Sequence, residues 1–126
     1  MLRRFVEDHD RLRSIIAEFD RHLKSSQAPT DVAFARLRWT LARQVAVHVA
    51  LERRALPDMF ARTATPDLYR GLDHDLDCEL NRQMTEWTAS AIEASWAEYR
   101  SITANLLARL RRRMVFEEKK IFPALA

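Results

Sequence analysis

Residues 34–57 read FARLRWTLARQVAVHVALERRALP, a stretch without glycine whose only proline is its last residue. Counted through His48, its apolar residues recur at steps of three or four, the period of one face of an α-helix; they are Phe34, Leu37, Leu41, Val45, Leu51 and Ala55. We expect Thr30 to cap this helix and Pro57 to end or kink it after Leu56. The stretch therefore predicts a long amphipathic helix with an imidazole on its apolar face.

The composition predicts helical structure for the whole chain. The 126 residues suit one domain, residues 1–126, and include a single glycine, Gly71. Hairpins and strand–helix alternation need glycine in many of their turns. With 48% hydrophobic residues, the chain is also too apolar for disorder. We therefore expect an all-α fold, an up-down-up-down four-helix bundle with short loops.

Three further helices complete this prediction. The first has apolar residues at alternating steps of three and four, with His9 in the one gap. The third opens on Thr65-Pro66, and the fourth begins at one of two capping boxes, residues 90–93 or 95–98. The expected helices span residues 2–24, 30–56 and 65–87, and the fourth runs from either capping box to residue 120. The expected breaks between them lie at 25–31, 58–64 and 88–94.

Several classes of protein are excluded by what the sequence lacks. A single cysteine, Cys78, rules out an internal disulfide and a cysteine-rich zinc site. No apolar run approaches the roughly 20 residues that cross a bilayer, and the first residues lack the apolar run of a signal peptide. We expect a cytoplasmic protein with no membrane contact.

Four ionisable side chains lie where helical projection places the core. His48 and Glu52 are one turn apart on the second helix, and His9 lies on the apolar seam of the first. Glu117 projects among apolar residues of the fourth helix. A buried carboxylate needs a cation or hydrogen-bond donors, and imidazole with carboxylate is a ligand set for iron, manganese or zinc. These residues predict a transition-metal site between the helices.

The same residues carry a family resemblance. The chain resembles the hemerythrin-like (HHE cation-binding) family, four-helix bundles with a non-haem di-iron site and the elements EH, HxxxEE, EH and HxxxEExxLFP. The matching segments here are Asp8-His9, His48 to Pro57, Asp73-His74 and Arg113 to Pro123.

The resemblance implies a hemerythrin-like bundle that binds iron and uses it to bind or sense O₂, NO or peroxide. His9 and His48 would be terminal ligands, and Glu52 and Glu117 would be bridging or terminal carboxylates.

Two positions depart from the family pattern. Arg113 stands where the fourth element carries histidine, and a permanently charged guanidinium is a very poor metal ligand. We expect Arg113 to act beside the ligands, as a cation hydrogen-bonded to Glu117 or to an anionic ligand such as peroxide. The resemblance also implies His74 as a ligand, but projection places it about 150° from the apolar face of the third helix. His74 is expected to face solvent or a partner unless that helix is shifted or unwound.

Two functional hypotheses remain open at this point. In the first, the bundle holds iron, or manganese or zinc, as two ions, as one ion, or as an uneven pair completed by water. In the second, it is a metal-free regulatory or protein-interaction module. His9 and His48 are then core histidines bonded to Glu52 or Glu117, and Arg113 supplies the positive charge.

The surface gives weaker signals. Trp39 projects opposite His48, which indicates a contact with a protein partner or a second copy of the chain. The basic run at 109–113 is typical of a solvated helix face and lacks interleaved aromatic residues, so we expect no nucleic-acid partner. No side chains are arranged as an activated nucleophile, and the sequence gives no separate support for enzymatic turnover.

Overall fold

The computed structural model describes residues 2–63, 73 and 75–125 of the chain. Within these ranges it contains α-helices and one π-helical turn, and no strand, which confirms the all-α class. The helices are α1 (Leu2–Leu23), α2 (Val32–Thr63), α3 (Leu76–Glu86), α4 (Ala89–Ala94), α5 (Trp96–Phe116) and α6 (Phe122–Leu125), and the π-helical turn Glu117–Ile121 joins α5 to α6.

The four longest helices form the predicted bundle. Helix α1 packs against α2 and α5, and α3 packs against the same two helices. Phe19 near the end of α1 meets Phe34 at the start of α2, with ring centroids 5.7 Å apart. Trp96 at the start of α5 donates its indole N–H to the carbonyl of Ser25, just after α1. Neighbouring helices therefore run antiparallel, as an up-down-up-down bundle requires.

Helix α2 differs from the prediction at both ends. Its cap is Asp31 rather than Thr30, because the Asp31 carboxylate accepts the N–H of Phe34 at 3.1 Å. The helix also continues through Pro57 to Thr63 instead of ending at Leu56. Proline inside a helix costs roughly 3 kcal/mol.

The expected break before the fourth helix is a short helix. Thr88 caps α4 by accepting the N–H of Ala91, so Ser90 lies inside the helix rather than at its cap. Ser95 precedes α5 without a side-chain capping bond. Helix α3 ends at Glu86, one residue before the expected end. Its expected start at Thr65-Pro66 lies outside the described residues.

The π-helical turn was not predicted. In this turn the N–H of Phe122 donates to the carbonyl of Glu117, five residues earlier. Pro123 follows directly, and in a regular α-helix its ring would clash with the carbonyl of Lys119. The wider turn accommodates that ring and adds a residue to the local register. Such turns occur preferentially at functional sites.

The core has two parts, which lie on either side of the buried ionisable residues. The larger cluster fills most of the bundle, with Leu12, Leu76 and Leu107 fully buried. The smaller cluster closes one end and consists of Phe5, Leu56, Ile121 and Phe122. The ionisable residues are therefore enclosed by apolar side chains along the bundle axis.

The outer surface agrees with the helical projection in one respect. Trp39 is 65% exposed, as its position opposite His48 predicts. A protein partner or homodimer at this residue stays a prediction. Among the described residues, no helix combines the length and the apolar character that crossing a bilayer requires.

The larger core cluster should carry much of the stability. Leu107→Ala removes a side chain with no exposed surface, so we expect the free energy of unfolding to fall by about 2–5 kcal/mol in urea denaturation. Ile102→Ala, on the same helix but 37% exposed, is the control and should cost less than about 1 kcal/mol. Equal losses from the two substitutions would contradict this assignment of the core.

Candidate metal centre

Three helical elements bring the predicted ligands together. Helix α1 contributes His9, α2 contributes His48 and Glu52, and the π-helical turn contributes Glu117. All four side chains are at most 4% exposed. One potential ligand atom from each of His9, His48 and Glu117 lies within 4.8 Å of the others. The structure therefore gathers two imidazoles and a carboxylate around one point.

Glu52 lies beside this group but is turned toward Arg113. Its Oε1 is 2.9 Å from His48 Nε2, without the alignment of a hydrogen bond. Its Oε2 accepts a hydrogen bond of 2.5 Å from Arg113 Nη2. One carboxylate oxygen therefore faces the imidazoles while the other is held by a guanidinium.

Arg113 is buried, as a cation beside the predicted ligands should be. Besides Glu52, it donates to the Asp73 carbonyl at 2.9 Å and to the Asp77 carboxylate at 3.1 Å. Its Nε lies 3.9 Å from Glu117 Oε1. Burial lowers the pKa of Arg113, but the charges of Glu52 and Asp77 outweigh burial and raise it. The guanidinium therefore stays charged and is hydrogen-bonded to Glu52, while Glu117, its expected partner, lies 3.9 Å away without a hydrogen bond.

Two carboxylates outside the ligand group orient the histidines. His9 Nδ1 donates to Glu118 Oε2 at 2.9 Å, and His48 Nδ1 lies 3.4 Å from Asp8 Oδ2. A proton on Nδ1 leaves the Nε2 lone pair of a neutral imidazole free, which is how histidine ligands are commonly held. For His9, that lone pair faces the Glu117 carboxylate, 3.6 Å away.

No role was predicted for Asp8 or Glu118 from the sequence. Asp8 had a usable signal, because it lies three residues after Phe5 and four before Leu12 on the apolar face of α1, and it is fully buried. Helical projection gave no signal for Glu118, since its direction depends on the π-helical turn.

The buried charges perturb one another strongly. Burial lowers the pKa of His48, but its contacts with Glu117 and Glu52 outweigh burial and raise that pKa to about 10. At neutral pH the metal-free protein therefore carries a proton on His48 Nε2, which must be lost before that nitrogen binds an ion. Burial raises the pKa of Glu52 to about 7. Burial acts the same way on Glu117, but its contacts with His48 and His9 outweigh it and hold the Glu117 pKa well below its usual range. The centre is an electrostatic unit in which the two carboxylates have different proton affinities.

Two buried polar atoms fit a bound cation. Among the described residues, His9 Nε2 and Glu52 Oε1 have no hydrogen-bond partner. Unsatisfied buried polar atoms are rare in native proteins, and a site for an ion is one of the reasons for which they occur. Two imidazole nitrogens and a carboxylate are the donor set that iron, manganese and zinc accept. His9, His48 and Glu117 therefore fit one transition-metal ion, and Glu52 Oε1 faces the same space.

The other two histidines differ from these. His22 packs on the ring of Phe34, with centroids 5.1 Å apart, away from the candidate centre. His74, implied as a ligand by the resemblance, lies outside the described residues.

Breaking the ion pair between Arg113 and Glu52 should destabilise the metal-free protein. Arg113→Met leaves Glu52 buried without its cation, so we expect the free energy of unfolding to fall by about 3–5 kcal/mol in urea denaturation with chelator at pH 8. Arg112→Met, at an exposed position on the same helix, should change it by less than about 0.5 kcal/mol. A loss below about 1 kcal/mol for Arg113→Met would show that the pair contributes little.

Comparison with known proteins agrees with this arrangement. The family model described as the Hemerythrin HHE cation binding domain matches residues 1–125. No curated protein and no solved structure matches the chain. Because the match covers almost every residue, including His9, His48, Glu52 and Glu117, this chain belongs to the hemerythrin HHE cation-binding domain family.

Proposed function

We propose that this protein binds non-haem iron in the pocket formed by His9, His48 and Glu117, and that it binds or senses O₂, NO or peroxide in the cytoplasm. One observation carries the proposal. Potential ligand atoms of the three buried side chains lie within 4.8 Å of one another, and His9 Nε2 has no other partner in the described part of the chain. Family membership supports cation binding.

The protein's contribution is to orient the ligands and exclude water. Glu118 and Asp8 hold the imidazoles by their Nδ1 atoms. Phe5 packs edge-on against His48, and Phe122 packs against His9, with ring centroids 5.6 and 4.9 Å apart. Iron in such a pocket supplies affinity for small diatomic ligands and peroxide. Apolar walls favour small uncharged ligands over water, and Arg113 Nε remains available to an anion such as peroxide.

The protein surface supports leaving nucleic acid out of this proposal. The basic run at 109–113 is largely neutralised within the bundle. Arg109 pairs with Asp73 and Glu79, Arg111 pairs with Asp20, and Arg113 is buried. Few of these positive charges remain free to bind the phosphate backbone of a nucleic acid.

A second function is favoured by one observation. The Arg113–Glu52 ion pair and the His48–Glu117 contact give the pocket a charge-paired arrangement without a metal. On that basis the bundle would be a metal-free regulatory or interaction module. Treatment with a metal chelator would then leave its binding to a protein partner unchanged.

Metal analysis distinguishes the two functions. After chelator treatment and anaerobic loading with Fe²⁺, we expect the wild type to retain iron, and His9→Ala to retain less than about 0.1 equivalent because one of three ligands is lost. His22→Ala is the matched control, a histidine of the same helix away from the centre, and it should retain as much iron as the wild type.

Loading should also stabilise the wild type and the His22→Ala variant, since a ligand that binds only the folded state raises the unfolding midpoint. Iron below about 0.1 equivalent in the wild type would reject iron binding and favour the metal-free module.

A further inference from the structure

We propose that the centre holds a single divalent ion and that the Arg113 guanidinium takes the place of a second one. This inference rests on the proposed function, because it concerns how many ions the same pocket accepts. It departs from the two-ion arrangement that the family resemblance implies.

The position of Arg113 supports the proposal. Arg113 contacts Glu52 at 2.5 Å and reaches to within 3.9 Å of Glu117, the two carboxylates that would bridge or flank a pair of ions. It is 6% exposed, so its charge lies inside the protein rather than at its surface. A guanidinium cannot be deprotonated in a protein and has no lone pair to offer an ion. It therefore occupies the side of the centre next to Glu52 as a permanent cation.

The balance of buried charge also supports the proposal. Asp8, Glu52 and Glu117 are each at most 4% exposed and carry three negative charges when ionised. Arg11, whose side chain is 58% exposed, approaches Asp8 to 3.4 Å from the surface, where water screens the charge of the arginine. One divalent ion and Arg113 supply three positive charges. A second divalent ion would leave an excess of two positive charges in the protein interior, which is strongly unfavourable.

Carboxylates at the margin do not alter this balance. Glu118 is 31% exposed and pairs with Arg13, and the Asp77 side chain is 20% exposed, where water screens its charge. Among the described residues, the enclosed part of the centre therefore matches one ion plus one guanidinium.

The donor atoms support the proposal as well. The atoms that converge within 4.8 Å come from His9, His48 and Glu117, and Glu52 is not among them. A carboxylate that bridges two ions through both of its oxygens needs both free, but Glu52 Oε2 is already bonded to Arg113. Arg113 is thus a positioning residue that keeps Glu52 from bridging in this way.

The test counts ions in the wild type and in three variants of Arg113 or its neighbour. With anaerobic Fe²⁺ as the probe, the wild type should bind about one equivalent by metal analysis against protein concentration. Arg113→His replaces the guanidinium with an imidazole one turn before Glu117, frees Glu52, and should raise the iron content to about two equivalents. Arg113→Lys keeps the positive charge and should stay at no more than about one. Arg112→His makes the same substitution at the next, exposed residue and should also stay at about one.

A spectroscopic readout on the wild type does not depend on the folding of any variant. With Mn²⁺ as the probe, a single bound ion gives the electron paramagnetic resonance spectrum of an isolated centre, whereas two neighbouring ions give a coupled spectrum. An isolated spectrum supports the proposal.

Two equivalents or a coupled spectrum in the wild type would overturn the single-ion proposal and leave the proposed function standing. A folded Arg113→His protein that still binds one ion would also overturn the role given to Arg113. No bound metal in the wild type would reject the proposed function itself, and this inference with it.

Discussion

The ion pair between Arg113 and Glu52 is the interaction on which the rest of the centre depends. It joins α2 to α5 within a largely apolar protein interior, and both side chains are almost fully buried. Removing either partner would leave an uncompensated charge, so the pair constrains the neighbouring residues electrostatically. Because Arg113 holds Glu52 Oε2, Glu52 presents only Oε1 to the imidazoles, beside the Glu117 carboxylate. The position of this one guanidinium thus determines which carboxylate oxygens are available to an ion.

The scaffold supports that arrangement through the π-helical turn. The added residue lets Glu117 contact His48 while Glu118 reaches His9 and Arg13 on α1. The same turn leads into Phe122, which packs against Phe5 and His9 and closes the end of the pocket. This turn, just before Pro123, therefore contributes the ligand Glu117, the carboxylate of Glu118 that orients His9, and the position of the apolar ring of Phe122.

The sequence predicted the bundle because its evidence was periodic. A three-to-four-residue apolar repeat and a single glycine permit little besides antiparallel helices, and the same repeat identified His9, His48, Glu52 and Glu117 as buried. Features that depend on contacts between helices could not be obtained in this way. Projection gives the face on which Glu52 lies but not the Arg113 guanidinium it meets, and it assumes a regular helix through Glu118. At Pro57 the local rule predicted that the helix would end or kink, and the helix continues to Thr63.

The central claim is that Arg113 and one metal ion together neutralise the negative charge of the buried carboxylates. Anomalous diffraction from crystals of the Fe²⁺-loaded protein tests it most directly, because it locates each ion relative to the side chains. We predict one anomalous peak per chain, within ligand distance of His9, His48 and Glu117, with Arg113 still bonded to Glu52. Two peaks in the pocket, or an ion at the position of the Arg113 guanidinium, would contradict the account.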